Sequence, residues 1–152
     1  MRLSAEQARS RFADSPVAVL GTVGVAGAAH LVPVTYAVSG DRVYIAIDDK
    51  PKSGGELKRL RNIAENPRVC LLAQHYQEEW SGLWWARADG AARVIDPGDM
   101  PFGVLGALVG RYAWYRAHPP TGPVIEVTVE KWSGWAFAES PPSLDPPADT
   151  FL

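Results

Sequence analysis

The sequence predicts a mainly β protein, an antiparallel barrel of about six strands with three peripheral helices. Three observations carry this expectation. Two segments alternate cleanly between apolar and polar residues, Arg42-Val-Tyr-Ile-Ala-Ile-Asp48 and Val124-Ile-Glu-Val-Thr-Val-Glu-Lys-Trp132. Short glycine-bearing turns, Gly24-Val-Ala-Gly27 and Ser39-Gly-Asp41, link the early strands. The regular strand–helix–strand alternation of a Rossmann sheet is missing.

The elements follow in order. Ser4-Ala-Glu-Gln7 fits a capping box, with Leu3 and Ala8 spaced for a hydrophobic staple, so a short helix should run to about Ala13. Pro16–Val23 reads as the first strand and Ala29–Val38 as the second. Pro33 interrupts the second, because proline gives no N–H to a ladder; the site is an edge, a bulge or a break in pairing. Backbone groups freed there could meet a ligand. The third strand is Arg42–Asp48. After a helix described below, Pro67 acts as a stop and Arg68–His75 reads as a buried strand. Cys70 lies inside its apolar run and is expected to be buried rather than nucleophilic. Tyr76–Trp80 reads as a loop, and Leu83–Ile95 as a long bent strand with a bulge at Gly90. Phe102 to about Ala117 can form a helix, Pro119–Pro123 a rigid loop, and Val124–Trp132 the last long strand, continuing to Trp135. Residues 1–140 make one domain; the proline-rich stretch 141–152 reads as a disordered tail.

With 152 residues, 47% hydrophobic and 21% charged, the composition is that of one ordinary globular domain. No apolar run approaches the ~20 residues that span a bilayer, which argues against membrane insertion. The N-terminus has no apolar signal core, so a cytoplasmic location is expected.

Chemistry points to Lys50–Arg68. This stretch holds six basic residues (Lys50, Lys52, Lys58, Arg59, Arg61, Arg68) against Glu56 and Glu65, in a chain of net charge −2. A local reversal of sign can hold a small anion without attracting nucleic acid in general. Ser53 with Glu56 fits a capping box, so a helix should start at Gly54 or Gly55, with Leu57, Leu60 and Ala64 on its apolar stripe. Arg59 and Asn62 flank that stripe, and helix-start N–H groups favour phosphate. The same residues also describe an ordinary solvated helix with an Arg61–Glu65 pair. No Gly-x-Gly-x-x-Gly, phosphate loop or nucleophile elbow is present, and His30, His75 and His118 lack metal-ligand spacing. An enzyme without its own acid–base machinery would borrow a cofactor.

Val17-Ala-Val-Leu-Gly-Thr-Val23, His30-Leu-Val-Pro-Val-Thr-Tyr36, Val43-Tyr-Ile-Ala-Ile47 and Arg59-Leu-Arg-Asn-Ile-Ala-Glu-Asn-Pro-Arg-Val69 resemble the pyridoxamine 5′-phosphate oxidase-like proteins, the FMN-binding split-barrel superfamily. Asp48-Asp-Lys-Pro-Lys52, Tyr76–Trp85, Pro119–Pro123 and Trp132-Ser-Gly-Trp135 resemble its actinobacterial branch, which uses the deazaflavin coenzyme F420. The resemblance implies a six-stranded antiparallel split β-barrel, mainly β with peripheral α. It also implies a homodimer with cofactor sites in grooves between subunits, and hydride transfer from reduced F420 to a small conjugated acceptor such as a quinone, tetrapyrrole or enone. By the same resemblance, Pro33, Val34 and Thr35 would meet the flat ring, and Lys50, Lys52, Arg59, Arg61 and Asn62 the phosphate end. Trp80 and Trp84 would stack near the ring or shape the substrate mouth. FMN, in an oxidase or reductase, is the alternative cofactor, and a flavin or tetrapyrrole carrier the non-catalytic alternative.

Overall fold

A computed structural model describes residues 1–47 and 57–138. Helix α1 (Ala5–Asp14) opens with the expected capping box: Ser4 Oγ accepts from Gln7 N–H at 3.1 Å, and Gln7 Oε1 accepts from Ser4 N–H at 2.8 Å. Ala8 and Phe12 are buried on it, and Leu3 just before its cap. There follow β1 (Ala18–Val23), β2 (Ala29–Val34), β3 (Ala37–Ser39), β4 (Arg42–Ala46), α2 (Lys58–Glu65), β5 (Arg68–His75), β6 (Trp84–Ile95), α3 (Val104–Arg111), α4 (Ala113–Ala117) and β7 (Val124–Ala136).

The described residues form seven strands rather than six, because the expected strand over Ala29–Val38 divides at Thr35 and Tyr36. All seven form one antiparallel sheet in the order β2-β1-β5-β6-β7-β4-β3. Its two edges, β2 and β3, are therefore consecutive in the chain. Three peptide steps from Val34 to Ala37 span at most about 11 Å, whereas seven flat strands would hold their edges about 29 Å apart. The sheet must curl until its edges meet at Thr35–Tyr36 and part beyond it. That is a split barrel, closed by two residues at one end.

Alternation fills the interior. Ala18, Leu20 and Thr22 on β1 and Val69, Leu71 and Ala73 on β5 turn inward. On β6 the inner face is Ala86, Ala88, Gly90 and Ala92, small groups that leave the volume to Phe12 and Tyr36, whose rings pack 4.7 Å apart. Gly90 marks the expected bulge: the register with β7 shifts there, and a Cβ would stand 2.1 Å from Thr128 O. Outside the barrel, α3 and α4 cover Ala37, Tyr44, Ile95 and Val124. Beside them Glu126 is buried and accepts from Arg93 Nε at 2.9 Å and Arg42 Nη1 at 3.2 Å. Burial opposes its ionisation, but hydrogen bonds from Arg93 and Tyr44 and the two guanidinium charges outweigh it, holding its carboxyl below the usual range.

Three expectations need correction. Helix α2 starts at Lys58, not Gly54 or Gly55: Leu57 is an extended N-cap with no side-chain hydrogen bond. Ser53 and Glu56, the expected capping box, lie outside the described residues. Leu57 and Leu60 pack against the core as expected, but the buried face of α2 centres on Asn62 and Ile63, and at 100° per residue Ala64 falls past its edge and is exposed. The helix expected over Phe102–Ala117 breaks at Tyr112, whose extended backbone separates α3 from α4. Cys70 is exposed: strand alternation turns Val69 and Leu71 inward and sends Cys70 to the outer face. The tail from Pro141 lies outside the described residues.

Candidate functional site

The split is the natural place for a ligand, because β2 is an edge whose outward backbone groups pair with no other described strand. Pro33 fits this position. It stands opposite Val19 in the β1–β2 ladder, and an edge strand is where a residue with no N–H to give a second neighbour is tolerated. Along β2 the inner side carries His30, Val32 and Val34, and the outer side Leu31 and Pro33, both exposed.

At the Thr35 end the two edges are pinned by α3 and α4. Thr35 Oγ1 and the Tyr115 hydroxyl lie 2.8 Å apart. Tyr36 N–H donates to the Tyr112 hydroxyl at 3.1 Å, and that hydroxyl shares its single proton between Pro16 O at 2.9 Å and Tyr36 O at 3.0 Å. Arg111 donates to Tyr36 O at 2.8 Å and also to Ser15 O. Its guanidinium sits 4.8 Å from the Tyr36 ring centroid and 5.4 Å from that of Tyr112. The Tyr36 hydroxyl in turn donates to Phe12 O at 2.6 Å. Burial pushes the Tyr36 phenol up to about 12 against the pull of the nearby Arg111 charge, and raises Tyr112 as well. The backbone left unpaired by the strand break is thus held by side chains. Sequence reasoning missed Arg111, Tyr112 and Tyr115 as parts of this end. Spacing put the tyrosines at a helix terminus, and nothing local tied them to residues some 76 positions earlier.

At the opposite end stands α2. Asn62 is buried and its Nδ2 donates to Thr22 Oγ1 at 3.1 Å. Glu65 forms no ion pair among the described residues; it accepts from Val25 N–H at 3.2 Å in the β1–β2 turn. Gly24 lets the helix approach, since a Cβ would fall 2.6 Å from Asn62 Oδ1. Arg59 is half-buried with its Nε enclosed and, among the described residues, without a hydrogen-bond partner; Arg61 and Lys58 are exposed.

The expected site residues thus divide. Pro33, Val34 and Thr35 lie at one end of the split; Arg59, Arg61 and Asn62 belong to α2 near the other. Four residues of β2, about 13 Å, separate the level of His30 from Val34. Lys50 and Lys52 lie outside the described residues. Trp84 is on β6, with β1 and β5 between it and β2, and packs under Arg11 (5.9 Å) and beside the His75 ring (6.3 Å). Trp80 is exposed in the turn before β6. One protomer does not bring these two tryptophans to the split. Among the described residues no helix is long and apolar enough to cross a membrane.

Comparison with known proteins agrees with this architecture. An FAD binding protein from Mycobacterium smegmatis superposes with a TM-score of 0.61 at 18% identity, covering 90% of this chain and 99% of that one. An FAD-binding protein from Mesorhizobium loti gives 0.60 at 19% identity, covering 88% and 95%. A heme binding protein from Mycobacterium smegmatis gives 0.67 at 21% identity, covering 89% of this chain but 55% of its own. At these identities the likeness is one of fold. No curated protein sequence matches the chain. The family model described as Pyridoxamine 5′-phosphate oxidase matches residues 4–136, which takes in the split, both its ends and nearly the whole barrel. On that match the chain belongs to the pyridoxamine 5′-phosphate oxidase family.

Proposed function

We propose that the split holds a flavin-type cofactor, its flat ring along β2 near Pro33–Thr35 and its phosphorylated chain toward α2, and that the protein is an oxidoreductase acting on a small conjugated acceptor. The observation that carries this reading is the edge itself: free backbone flanks a proline at one end, and a cationic helix stands at the other. The residues present fit such a group. Among the described residues Arg59 has an enclosed donor without a partner, and the surplus of cations on α2 suits a polyanionic tail. Arg59 would hold phosphate, Thr35 would hydrogen-bond the ring edge while Tyr115 fixes its rotamer, and Val34 would shape the apolar floor. Asn62 acts through Thr22 to fix where α2 presents Arg59. The bound cofactor supplies the hydride; the chain's part is to orient it and exclude water.

Reduced coenzyme F420 is the donor favoured by the Asp48–Lys52, Trp84–Trp85 and Pro119–Pro123 segments. The FAD-binding proteins of the same fold favour FMN or FAD as the second reading. Side-by-side titration with F420 and FMN at two salt concentrations, followed by Trp fluorescence, separates them. Preferential F420 binding that weakens with salt is expected. Tight FMN binding without F420 binding would replace the first reading by the second, and binding without turnover of any acceptor would leave a carrier.

The working form proposed is a homodimer with sites between subunits. Support comes from the outer face of β2-β1-β5-β6, where Leu31 is 68% exposed and Leu72 36% exposed beside Val19, Gly21, Cys70 and Trp85. Because β2 borders both this face and the split, a second copy seated there would reach the cofactor groove. Leu31→Asp should yield a monomer in light scattering; an unchanged dimer would move the interface elsewhere.

A further inference from the structure

On the outer surface of β6-β7-β4, beside the strip that α3 and α4 cover, stands a group of charges with no part in the proposed cofactor site. Among the described residues Glu126 is the one charged side chain that is buried, at 2% exposed. The ladder sets it between Arg93 on β6 and Tyr44 on β4, each directly opposite. Arg93 Nε donates to Glu126 Oε1 at 2.9 Å, and Arg42 Nη1 donates to the same oxygen at 3.2 Å. Two donors that share one oxygen at these lengths stand at most about 6 Å apart. The buried acid thus draws two guanidinium groups together and fixes their spacing on three paired strands.

Charge does not balance there. One guanidinium neutralises one carboxylate, and a second beside it repels the first until something offsets it. The neighbouring acids are engaged elsewhere. Both oxygens of Glu130 accept from Arg68 Nη1 at 2.8 Å, and Asp41 accepts from Trp132 Nε1 at 3.2 Å. Among the described residues neither Arg42 nor Arg93 has a second ionic partner. Arg93 keeps both terminal nitrogens and Arg42 keeps Nε and Nη2, on side chains 69% and 46% exposed. Glu126 fills the buried side of the pair, and the unused donors are left to the solvent side.

From this geometry we propose that Arg42 and Arg93, anchored on Glu126, form a binding fork for a second carboxylate. An incoming carboxylate closes a ring of two guanidinium and two carboxylate groups and brings the cluster to zero charge. Its two oxygens take N–H groups from different arginines, a bridge that donors so close permit. A doubly charged phosphate overshoots the single surplus charge, and chloride offers one point of contact where the pair presents two. Arginine suits the role better than lysine, because its planar fork keeps an edge free after the first bond is made. The fork requires only these three side chains and stands or falls apart from the cofactor reading.

The test titrates the full-length protein with acetate against chloride at equal ionic strength, with methyl acetate as the uncharged control. The arginine Nε–H resonances are followed by NMR. Arg42 and Arg93 should shift together and saturate with acetate alone. Arg68 and Arg87, each paired with its own surface acid, are internal references and should not saturate. Arg42→Gln should weaken acetate at Arg93 about tenfold, the loss expected for one charge-assisted contact. Arg42→Lys, which keeps the charge without the fork, should recover only part of it. A linear drift with acetate, or a response that chloride or phosphate matches, would overturn the proposal and leave two arginines that serve Glu126 alone. Saturation by acetate assigns the fork to free small acids. Saturation only by a neutral peptide carrying one glutamate assigns it to a partner's acidic side chain, and either result upholds it. The wild-type titration decides the question even if a variant fails to fold.

Discussion

The two ends of edge strand β2 solve opposite problems. At Thr35 the chain leaves one sheet edge and joins the other, and every polar group named there has a partner: Tyr112 and Arg111 take the Tyr36 backbone, and Tyr115 takes Thr35. Toward the other end, among the described residues, two polar atoms, His30 Nδ1 and Arg59 Nε, stand enclosed without a hydrogen-bond partner. Saturated hydrogen bonding fixes geometry, whereas unused donors leave binding energy for something else to collect. The comparison teaches that one end is fixed by its own side chains, while the other, on the proposed reading, is left to meet the cofactor's charged chain.

Substitutions can break that contrast, beginning with the largest effect. Arg111→Ala should cost about 2–4 kcal/mol in chemical denaturation, since two charge-assisted bonds to carbonyls and packing on two rings are lost. A loss under about 0.5 kcal/mol, typical of an ordinary surface position, would mean that α3 does not pin the edges. Asn62→Ala should cost about 1–3 kcal/mol by leaving Thr22 without its buried partner. It should also weaken FMN, though it touches no phosphate itself. Tyr36 gives a pH signature. Its folded phenol titrates at about 12 against an ordinary 10.0, so above pH 10 the folded state binds more protons than the unfolded one. The stability that Tyr36 contributes is present below pH 10 and drains as pH rises toward 12. Tyr36→Phe should flatten that part of the alkaline profile, and an unaltered profile would deny the shift. Tyr115→Phe removes one bond to Thr35 and should cost about 0.5–1.5 kcal/mol. Arg59→Ala, at the other end, should change stability by less than about 0.5 kcal/mol yet weaken the phosphorylated cofactor by about 1–3 kcal/mol. A large stability loss there would erase the distinction between the ends.

The two ends were unequally legible in the sequence. Pro33 disclosed an interrupted edge, and the six cations from Lys50 to Arg68 disclosed a basic stretch, three of which, Lys58, Arg59 and Arg61, lie on α2, because each is a local departure from the surrounding pattern. Strand alternation and Gly90 gave the barrel. The closure of seven strands through Thr35–Tyr36 was not readable, since it depends on which edges meet, and the break looked like one strand carrying a proline. The tyrosine clamp was invisible for a related reason: Tyr115 and Thr35 are 80 residues apart, and either alone is unremarked in its own element. Cys70 misled because its neighbours are apolar, although alternation sends it outward all the same. His30 read as one more strand histidine until the ladder set it against Thr22.

Pro33 has one more consequence, for the protein's behaviour in crowded solution. A free strand bearing an exposed leucine is a template onto which another molecule's strand can zip, and chains that do so end as aggregates. A ring in place of an N–H one residue from the end of β2 stalls that zipper while leaving the ladder with β1 in register. Replacing Pro33 with valine should restore the missing donor and make the protein precipitate at concentrations the parent tolerates; equal solubility would acquit the proline of this duty.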